Sequence, residues 1–473
     1  MEKGVGNQGI DAVRPDCIPK QGRHGLYAFL LTASTAQPLY GKYVNVFGRR
    51  WCLAFATSSY IVGAAVCSAA QSMVMLIVAR ALCGLGVGAF DSLMKIVIAD
   101  HIPLRFIGSY QALLGISWGL GYIVGALLGG YAVAQTTWRT VFWMSLGVAV
   151  FATVLVLICI RSKDDVAASL HQQVKNTDAI GIFIWIAGIV MFVLALSWGG
   201  TTYAWNSAVI ISLLCISIVL LILFAFWERW GAKEPIIPRN TFSNRSSIFI
   251  VIVGFLYGGT FQSLMTYVPL YLSLIRREDS MATNLELLCL VLFACIANVS
   301  VGLVIVRTGK YTWAIRLSLA ILVLACGVLD LLDTQSGRGT IVGLMIVTGI
   351  GSGGIINSEI VTAQASVAIE HVPPIISLMT LADLSGGITG ITVQGTILSN
   401  RLASLVQHMN VSASDVRQSS SYIYSLPEPT QSMVLEAYMD AVRKSFWGSF
   451  GFAAAALVAS LAIKSYTMRT HLA

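Results

Sequence analysis

Apolar runs long enough to cross a membrane, broken by short polar patches, recur along nearly the whole chain. A helix needs about 20 predominantly apolar residues to span the hydrocarbon core of a bilayer. Thirteen stretches meet that pattern: 26–46, 51–70, 73–99, 107–132, 138–160, 179–199, 207–229, 246–272, 284–307, 311–332, 339–366, 374–400 and 444–467. The expected fold is all-α, a polytopic membrane protein of about thirteen transmembrane helices. Residues 1–24 are polar throughout and lack the apolar core of a cleavable signal. Polar linkers are expected at 161–178 and 230–245, and a long loop at 401–443.

Composition narrows the class further. The 473 residues are 56% hydrophobic and only 11% charged, against roughly 25% charged in soluble proteins. A water-facing surface cannot be covered at that ratio, so the lipid bilayer is the expected surround. The net charge of +8 then needs no nucleic-acid partner, because cationic cytoplasmic loops make membrane proteins basic. Eight of the nine cysteines lie in apolar segments, Cys17 being the exception, and no CxxC or CxxH pair occurs. They read as small buried hydrophobes, not as disulfides or metal ligands.

Lys and Arg in alternate loops set the orientation. One set of loops, from Lys42, Arg49 and Arg50 to Lys464 and Arg469, holds sixteen basic residues; the other holds eight. The richer set belongs in the cytoplasm. The 401–443 loop then faces outward, with Asn410-Val-Ser412 as an N-glycosylation acceptor on the correct side.

The chain repeats itself. Gly84, Gly86 and Gly88 match Gly349, Gly351 and Gly353 at an offset of 265, and Gly121, Gly125 and Gly130 match Gly386, Gly390 and Gly395 at the same offset. Gly41-x6-Gly48-Arg49 is echoed by Gly302-x6-Gly309-Lys310. Repeated halves flanking a central site are a common plan of secondary transporters. GLGVGA at 84–89 is not a dinucleotide loop, because both flanks are membrane-length helix. Small residues at four-residue spacing instead let membrane helices approach closely, which assigns Gly84, Gly88, Gly121, Gly125, Gly386 and Gly390 to helix packing.

GKYVNVFGRR at 41–50 resembles the signature loop between the second and third helices of the major facilitator superfamily. LIVARALCGLGVG at 76–88 resembles the arginine-bearing signature of its fourth helix, GLGYIVGALLGG at 119–130 the antiporter signature of its fifth, and WRTVFW at 138–143 the start of its sixth. With two extra helices between the halves, the chain is similar to the fourteen-helix drug:proton antiporter branch, which includes fungal efflux pumps. That resemblance implies two pseudo-symmetric bundles. The expected division is a polar tail at 1–25, a first bundle at 26–160, linkers and two extra helices at 161–245, and a second bundle at 246–473.

It also implies roles for the signature residues Gly41, Lys42, Asn45, Gly48, Arg49 and Arg50, which would turn the loop and hold the halves together on the cytoplasmic side. Three departures accompany it. Asn45 stands where the family has an acid, and Ala126 where it has a proline. The family's first helix has no counterpart, and a truncated N-terminus is the expectation, because Lys3, Arg14, Lys20 and Arg23 would otherwise lie outside.

Charges within spans cost a few kcal/mol each on insertion scales and are functional candidates. At 100° per residue, Arg80, Gly84, Gly88, Asp91 and Lys95 fall within about 80° of one another, a face expected to look into a central cavity. Asp91 and Lys95, four apart, can pair, so they are either a structural ion pair or part of proton coupling. By resemblance Arg80 is the family's coupling arginine. Glu359 and Asp383 are the acids of the second half, with Asn357, Gln364 and Gln394 nearby. Burial favours the protonated form of an acid, which suits a group that loads and releases protons; pairing with a distant base is the alternative. Gln111, Trp118, Tyr122, Gln262, Tyr267, Asn357 and Gln364 are candidates to line a cavity for amphipathic molecules, packing or interfacial roles being the alternative for the aromatics.

No P-loop, HExxH or GxSxG occurs, so neither ATP-driven transport nor hydrolysis has its residues and no cofactor is expected. The function expected from the resemblance is proton-coupled export of a small organic compound by a monomer in the plasma membrane. An importer or vacuolar carrier, of siderophores or amino acids for example, and a non-transporting remnant or receptor are the alternatives.

Overall fold

The computed structural model describes residues 20–159, 178–199, 203–232, 235, 239–242, 244–276, 280–333, 336–407, 409, 423–424 and 426–466. Asn410 and almost all of the 161–178 linker lie outside them, as do the side chains of Lys42, Asn45 and Ala126. Thirteen long helices account for most of what is described, with no strand among the described residues beyond one isolated bridge between Gly199 and Tyr203. In order they are α1 (Lys20–Phe47), α2 (Arg49–Ser68), α3 (Met73–His101), α4 (Leu104–Gln135), α5 (Trp138–Cys159), α6 (Ala179–Trp198), α7 (Ala208–Phe226), α8 (Arg245–Ile275), α9 (Ser280–Thr308), α10 (Tyr311–Val328), α11 (Arg338–Ala365), α12 (Val372–Val406) and α13 (Thr430–Leu461).

Each expected span therefore has its helix, but fewer meet a membrane criterion than the thirteen expected. Ten helices are long and apolar enough to cross a bilayer, and Ile180–Leu196 is a shorter apolar helix. Outside that count, α1 carries Thr32, Ser34, Thr35 and Gln37 in mid-run, and α13 begins with a polar stretch. The 401–443 loop is also shorter than expected. α12 runs to Val406, and α13 starts at Thr430, taking Glu436, Asp440, Arg443 and Lys444 into helix.

Hydroxyl side chains fix several starts and satisfy themselves inside. Ser72 accepts from the Met75 amide at 3.2 Å, and Ser207 from Ile210 at 3.3 Å, using donors that a helix start leaves free. Within spans, Thr57 donates to the Leu53 carbonyl (2.9 Å) and Thr348 to Leu344 (2.8 Å), so their hydroxyls need no water.

The signature stretch differs from its expected form. Gly41 lies inside α1, which continues to Phe47, so it takes no part in the turn. Gly48 alone makes the turn, at φ 79°, a region costly for other residues. Its counterpart Gly309, joining α9 to α10, has φ 70°. Arg49 then pairs with Asp100 at the end of α3 (2.8 Å), and Arg50 donates to the Leu157 carbonyl (3.1 Å), tying the starts and ends of α2, α3 and α5 together.

Helix contacts reproduce the sequence repeat. α1 packs on α3 as α9 packs on α11, and α2 on α3 as α10 on α11. A Cβ added to Gly84 or Gly88 would overlap Phe29 or Ala33 of α1; one on Gly349 or Gly353 would overlap Leu290 or Ala294 of α9. Lipid gives helices no hydrophobic reason to associate, so such close backbone approach carries the packing. Gly386 and Gly390 of α12 likewise abut Phe255 and Gly259 of α8. Gly121 and Gly125 do not follow: an added Cβ would meet nothing within 4 Å.

α6 and α7 form a hairpin, held by Ser217 donating to the Gly188 carbonyl (3.1 Å). It touches both bundles. Trp185, Ile189 and Val193 cluster with Leu31 and Leu39 of α1 and with Leu381 and Ile388 of α12, and Trp205 donates to Thr396 at 3.1 Å.

Candidate functional site

Where the two halves face one another, a cavity of about 380 Å³ opens between them. α3 contributes Asp91 and Lys95, one helical turn apart and paired at 2.7 Å. The Lys95 side chain is 12% exposed and that of Asp91 52%, so the pair sits at the cavity wall with its carboxylate turned to the open space. From the second half come Glu359 on α11 and Asp383 on α12. Lys95 is within electrostatic reach of both acids.

These two acids are incompletely satisfied. Glu359 Oε2 and Asp383 Oδ1 are buried without a hydrogen-bond partner among the described residues, as are Gln37 Oε1 on α1 and Gln111 Nε2 on α4, which line the same space. A buried polar atom left unpaired costs roughly 1–3 kcal/mol. Four such atoms surround this one cavity.

Aromatic side chains share the lining with the acids. Trp118 and Phe261 have ring centroids 6.0 Å apart, Phe261 stacks on Tyr257 at 5.9 Å, and Trp118 stacks on Tyr122 at 6.1 Å. Trp118, Phe261 and Tyr257 line the cavity, whereas Tyr122 contacts Trp118 from outside the lining.

The expected residues divide on inspection. Asp91, Lys95, Glu359, Asp383, Gln111, Trp118 and Gln262 all reach the cavity. Arg80 does not, against the expected inward face of α3. Its guanidinium lies over Phe29 (4.7 Å) and Phe142 (5.7 Å), against α1 and α5. The face turns because Gly84 and Gly88 are consumed by α1. Tyr267 donates instead to the Ile391 carbonyl (2.7 Å), and Gln394 to Ser449 of α13. Gln364 is buried outside the lining, its amide atoms without partners among the described residues.

Asn357 serves as an inter-half contact and not as lining. Its Nδ2 donates to the Gly108 carbonyl of α4 (2.8 Å) and to Asn298 Oδ1 of α9 (3.0 Å). Around it the backbones of Gly108 and Gly302 meet so closely that a Cβ on Gly302 would lie 2.5 Å from the Gly108 carbonyl oxygen. This contact sits one to two turns from the cavity-lining Gly115 and Asn298, towards the ends bearing Arg105 and Arg307.

Gln37, Tyr257, Phe261, Asn298 and Thr380 reach the cavity without having been expected there. The repeat held a signal for one of them. At the 265 offset Gly115 corresponds to Thr380, Trp118 to Asp383, and Asp91 and Lys95 to Ile356 and Ile360, and every one of these lines the cavity. Positions are symmetric while chemistry is not.

Two pseudo-symmetric helical bundles around a shared polar cavity define a membrane carrier. The sequence profile of the Major Facilitator Superfamily matches residues 25–391, and the chain belongs to that family. It is 26% identical over 489 residues to "Efflux pump FUS6" of Gibberella fujikuroi, covering 98% of this chain and 86% of the relative. It is 28% identical to "MFS-type efflux transporter ffsH" of Aspergillus flavipes (92% and 79%) and 27% identical to "Efflux pump dotC" of Dothistroma septosporum (94% and 77%). Among solved structures, the proton:xylose symporter XylE shares the fold at a TM-score of 0.59 and 13% identity, over 94% of this chain and 87% of that one. The chain is thus a secondary transporter of a multi-pass membrane protein family.

Proposed function

We propose that this chain exports small amphipathic organic compounds, drugs, toxins or secondary metabolites, across the plasma membrane in exchange for protons. The observation that carries the reading is the pairing of Glu359 and Asp383, each with an unanswered buried oxygen, in one cavity with the Asp91–Lys95 pair of the opposite half. Protons and substrate compete for the same acids: protonation from outside empties the site, and release of the protons inside readies it for the next molecule. The relatives named as efflux pumps support the direction.

Alternating access needs the halves to separate at one end while closed at the other. The Asn357–Gly108–Gly302 contact lies at the end that the basic loops place in the cytoplasm, so this conformation corresponds to the closed cytoplasmic side. The inserted α6–α7 hairpin, resting on α1 and α12, supports both halves from the same flank.

The test is efflux from intact yeast of a panel of fluorescent and toxic amphiphiles, with and without a protonophore. Protonophore-sensitive efflux that is lost in Asp383→Asn supports the reading. Absence of efflux, with the protein at the cell surface, sinks it.

A further inference from the structure

The two seams between the halves differ in what covers them. Along α1 and α12 the inserted hairpin lies across the joint, with Trp185 and Ile189 clustering with Leu39 and Ile388. The α4–α9 seam has no such cover among the described residues: Ile116, Ile296 and Leu303 beside it are 36%, 49% and 47% exposed. Arg105 of α4 and Arg307 of α9 stand at its cytoplasmic end. Gly108 and Gly302 meet there backbone to backbone, and the arginines lie about 4.5 Å and about 7.5 Å further along their helices. Arg105 and Ile116, and likewise Arg307 and Ile296, are eleven residues apart, so each pair falls within about 20° on one flank of its helix. Gln111 and Asn298 turn the other way, into the cavity.

Both arginines are exposed, and neither has an ion pair or hydrogen bond among the described residues. Asp100, the acid nearest Arg105 in sequence, is held by Arg49 at 2.8 Å. Two like charges from opposite halves are thus brought to one lipid-facing joint. The repeated frame does not require this. Glu370 stands at the Arg105 position by the 265 offset, and Val46 precedes Gly48 by two residues as Arg307 precedes Gly309. Basic clusters at the cytoplasmic edge of a bilayer attract the anionic lipids of that leaflet, and guanidinium groups suit phosphate oxygens. We infer that this seam binds an anionic phospholipid of the cytoplasmic leaflet, its headgroup between Arg105 and Arg307 and an acyl chain along Ile116, Ile296 and Leu303. The apolar flank selects a lipid over a free phosphate. With one arginine from each half, the headgroup offsets their repulsion only while the seam is closed, and so favours the conformation closed to the cytoplasm. No bond is made or broken, and the site lies outside the cavity and does not rest on the export reading.

The test is native mass spectrometry of the purified full chain in detergent, offered equal amounts of phosphatidylserine and phosphatidylcholine with the same acyl chains. The chain is expected to retain phosphatidylserine at least about tenfold over phosphatidylcholine, and Arg105→Gln or Arg307→Gln to cut that preference several-fold. The monodisperse double variant is expected to hold the two lipids alike. Arg229→Gln/Lys464→Gln, which removes the same charge elsewhere on the cytoplasmic side, is expected to keep the preference. No preference in the unaltered chain, a preference that survives in the double variant, or equal loss in the control pair overturns the inference. Inorganic phosphate in large excess is expected to leave the lipid bound; displacement by it would make this a free-anion site and overturn the lipid. The bridge is read in Asn357→Ala, which loosens the seam from its buried side: phosphatidylserine occupancy is expected to fall several-fold, and unchanged occupancy would overturn the link between lipid and closure.

Discussion

The two halves of this transporter are copies in scaffold and opposites in finish. In the second, Gly386 and Gly390 of α12 are pressed against the Phe255 and Gly259 backbone of α8. In the first, a Cβ added to the matching Gly121 or Gly125 of α4 would meet nothing within 4 Å among the described residues, and no α5 residue is fully buried. A small-residue stripe thus reports the capacity for close packing; whether it packs depends on the partner. The same asymmetry recurs in the cavity, where Asp91 and Lys95 oppose Ile356 and Ile360, and Asp383 opposes Trp118. A duplicated frame supplies equivalent positions, and divergence within it separates a fixed ion pair from the two unsatisfied acids.

Swapping bulk into the two stripes exposes this contrast most strongly. Gly386→Leu drives a side chain into the α8 backbone, and overpacking of about 1–3 kcal/mol or more is expected to remove most monodisperse protein. Gly121→Leu is expected to leave the yield within about twofold, since surface-like positions shift stability by about 0.5 kcal/mol or less. Size-exclusion profiles of tagged protein in detergent report both. Equal damage from the two would break the comparison.

The cavity asymmetry gives the next effect. Lys95→Gln leaves the acids without their one ammonium and is expected to cut efflux at least about tenfold, while the repeat-matched Ile360→Gln costs only a few-fold, differences of about 1.4 kcal/mol per decade. Initial efflux rates normalised to surface protein check this, and a more damaging Ile360→Gln would contradict it.

A smaller effect is expected at the contact between the halves. Asn357→Ala removes the hydrogen bonds to Gly108 and Asn298, worth roughly 0.5–1.5 kcal/mol each, and shifts the protein away from the state closed at that end. Faster modification of a cysteine introduced near Arg105 by a reagent on the cytoplasmic side is the expected sign; unchanged reactivity would remove the contact from the gating scheme. Smallest is Asn45→Asp, which restores an acid to the signature stretch and is expected to slow the same modification slightly.

The elements that were legible in the sequence rest on length and periodicity. All thirteen helices follow from apolar runs, and the turn glycines Gly48 and Gly309 from their repeated context. The acids stood out because charge is rare in lipid. Side-chain direction was harder to read. Arg80, Gly84, Gly88, Asp91 and Lys95 share a helical stripe, yet α1 takes the upper part and the cavity the lower, a division set by packing and not by phase. Tyr267 and Asn357 are indistinguishable by type from Trp118 and Gln111, but backbone carbonyls of neighbouring helices claim them. Gln37 and Asn298 carry no signal in the sequence, because single amides in apolar helices are commonplace. Thr380 is legible only through the repeat, as the counterpart of Gly115.

The most direct measurement is dye uptake into proteoliposomes holding the protein inside-out, with an imposed pH gradient and the lumen acidic. Uptake of rhodamine 123 that requires the gradient, collapses with a protonophore and vanishes in monodisperse Asp383→Asn is the expected result. Uptake that ignores the gradient, or persists undiminished in that variant, would contradict a proton-driven cycle running through these acids.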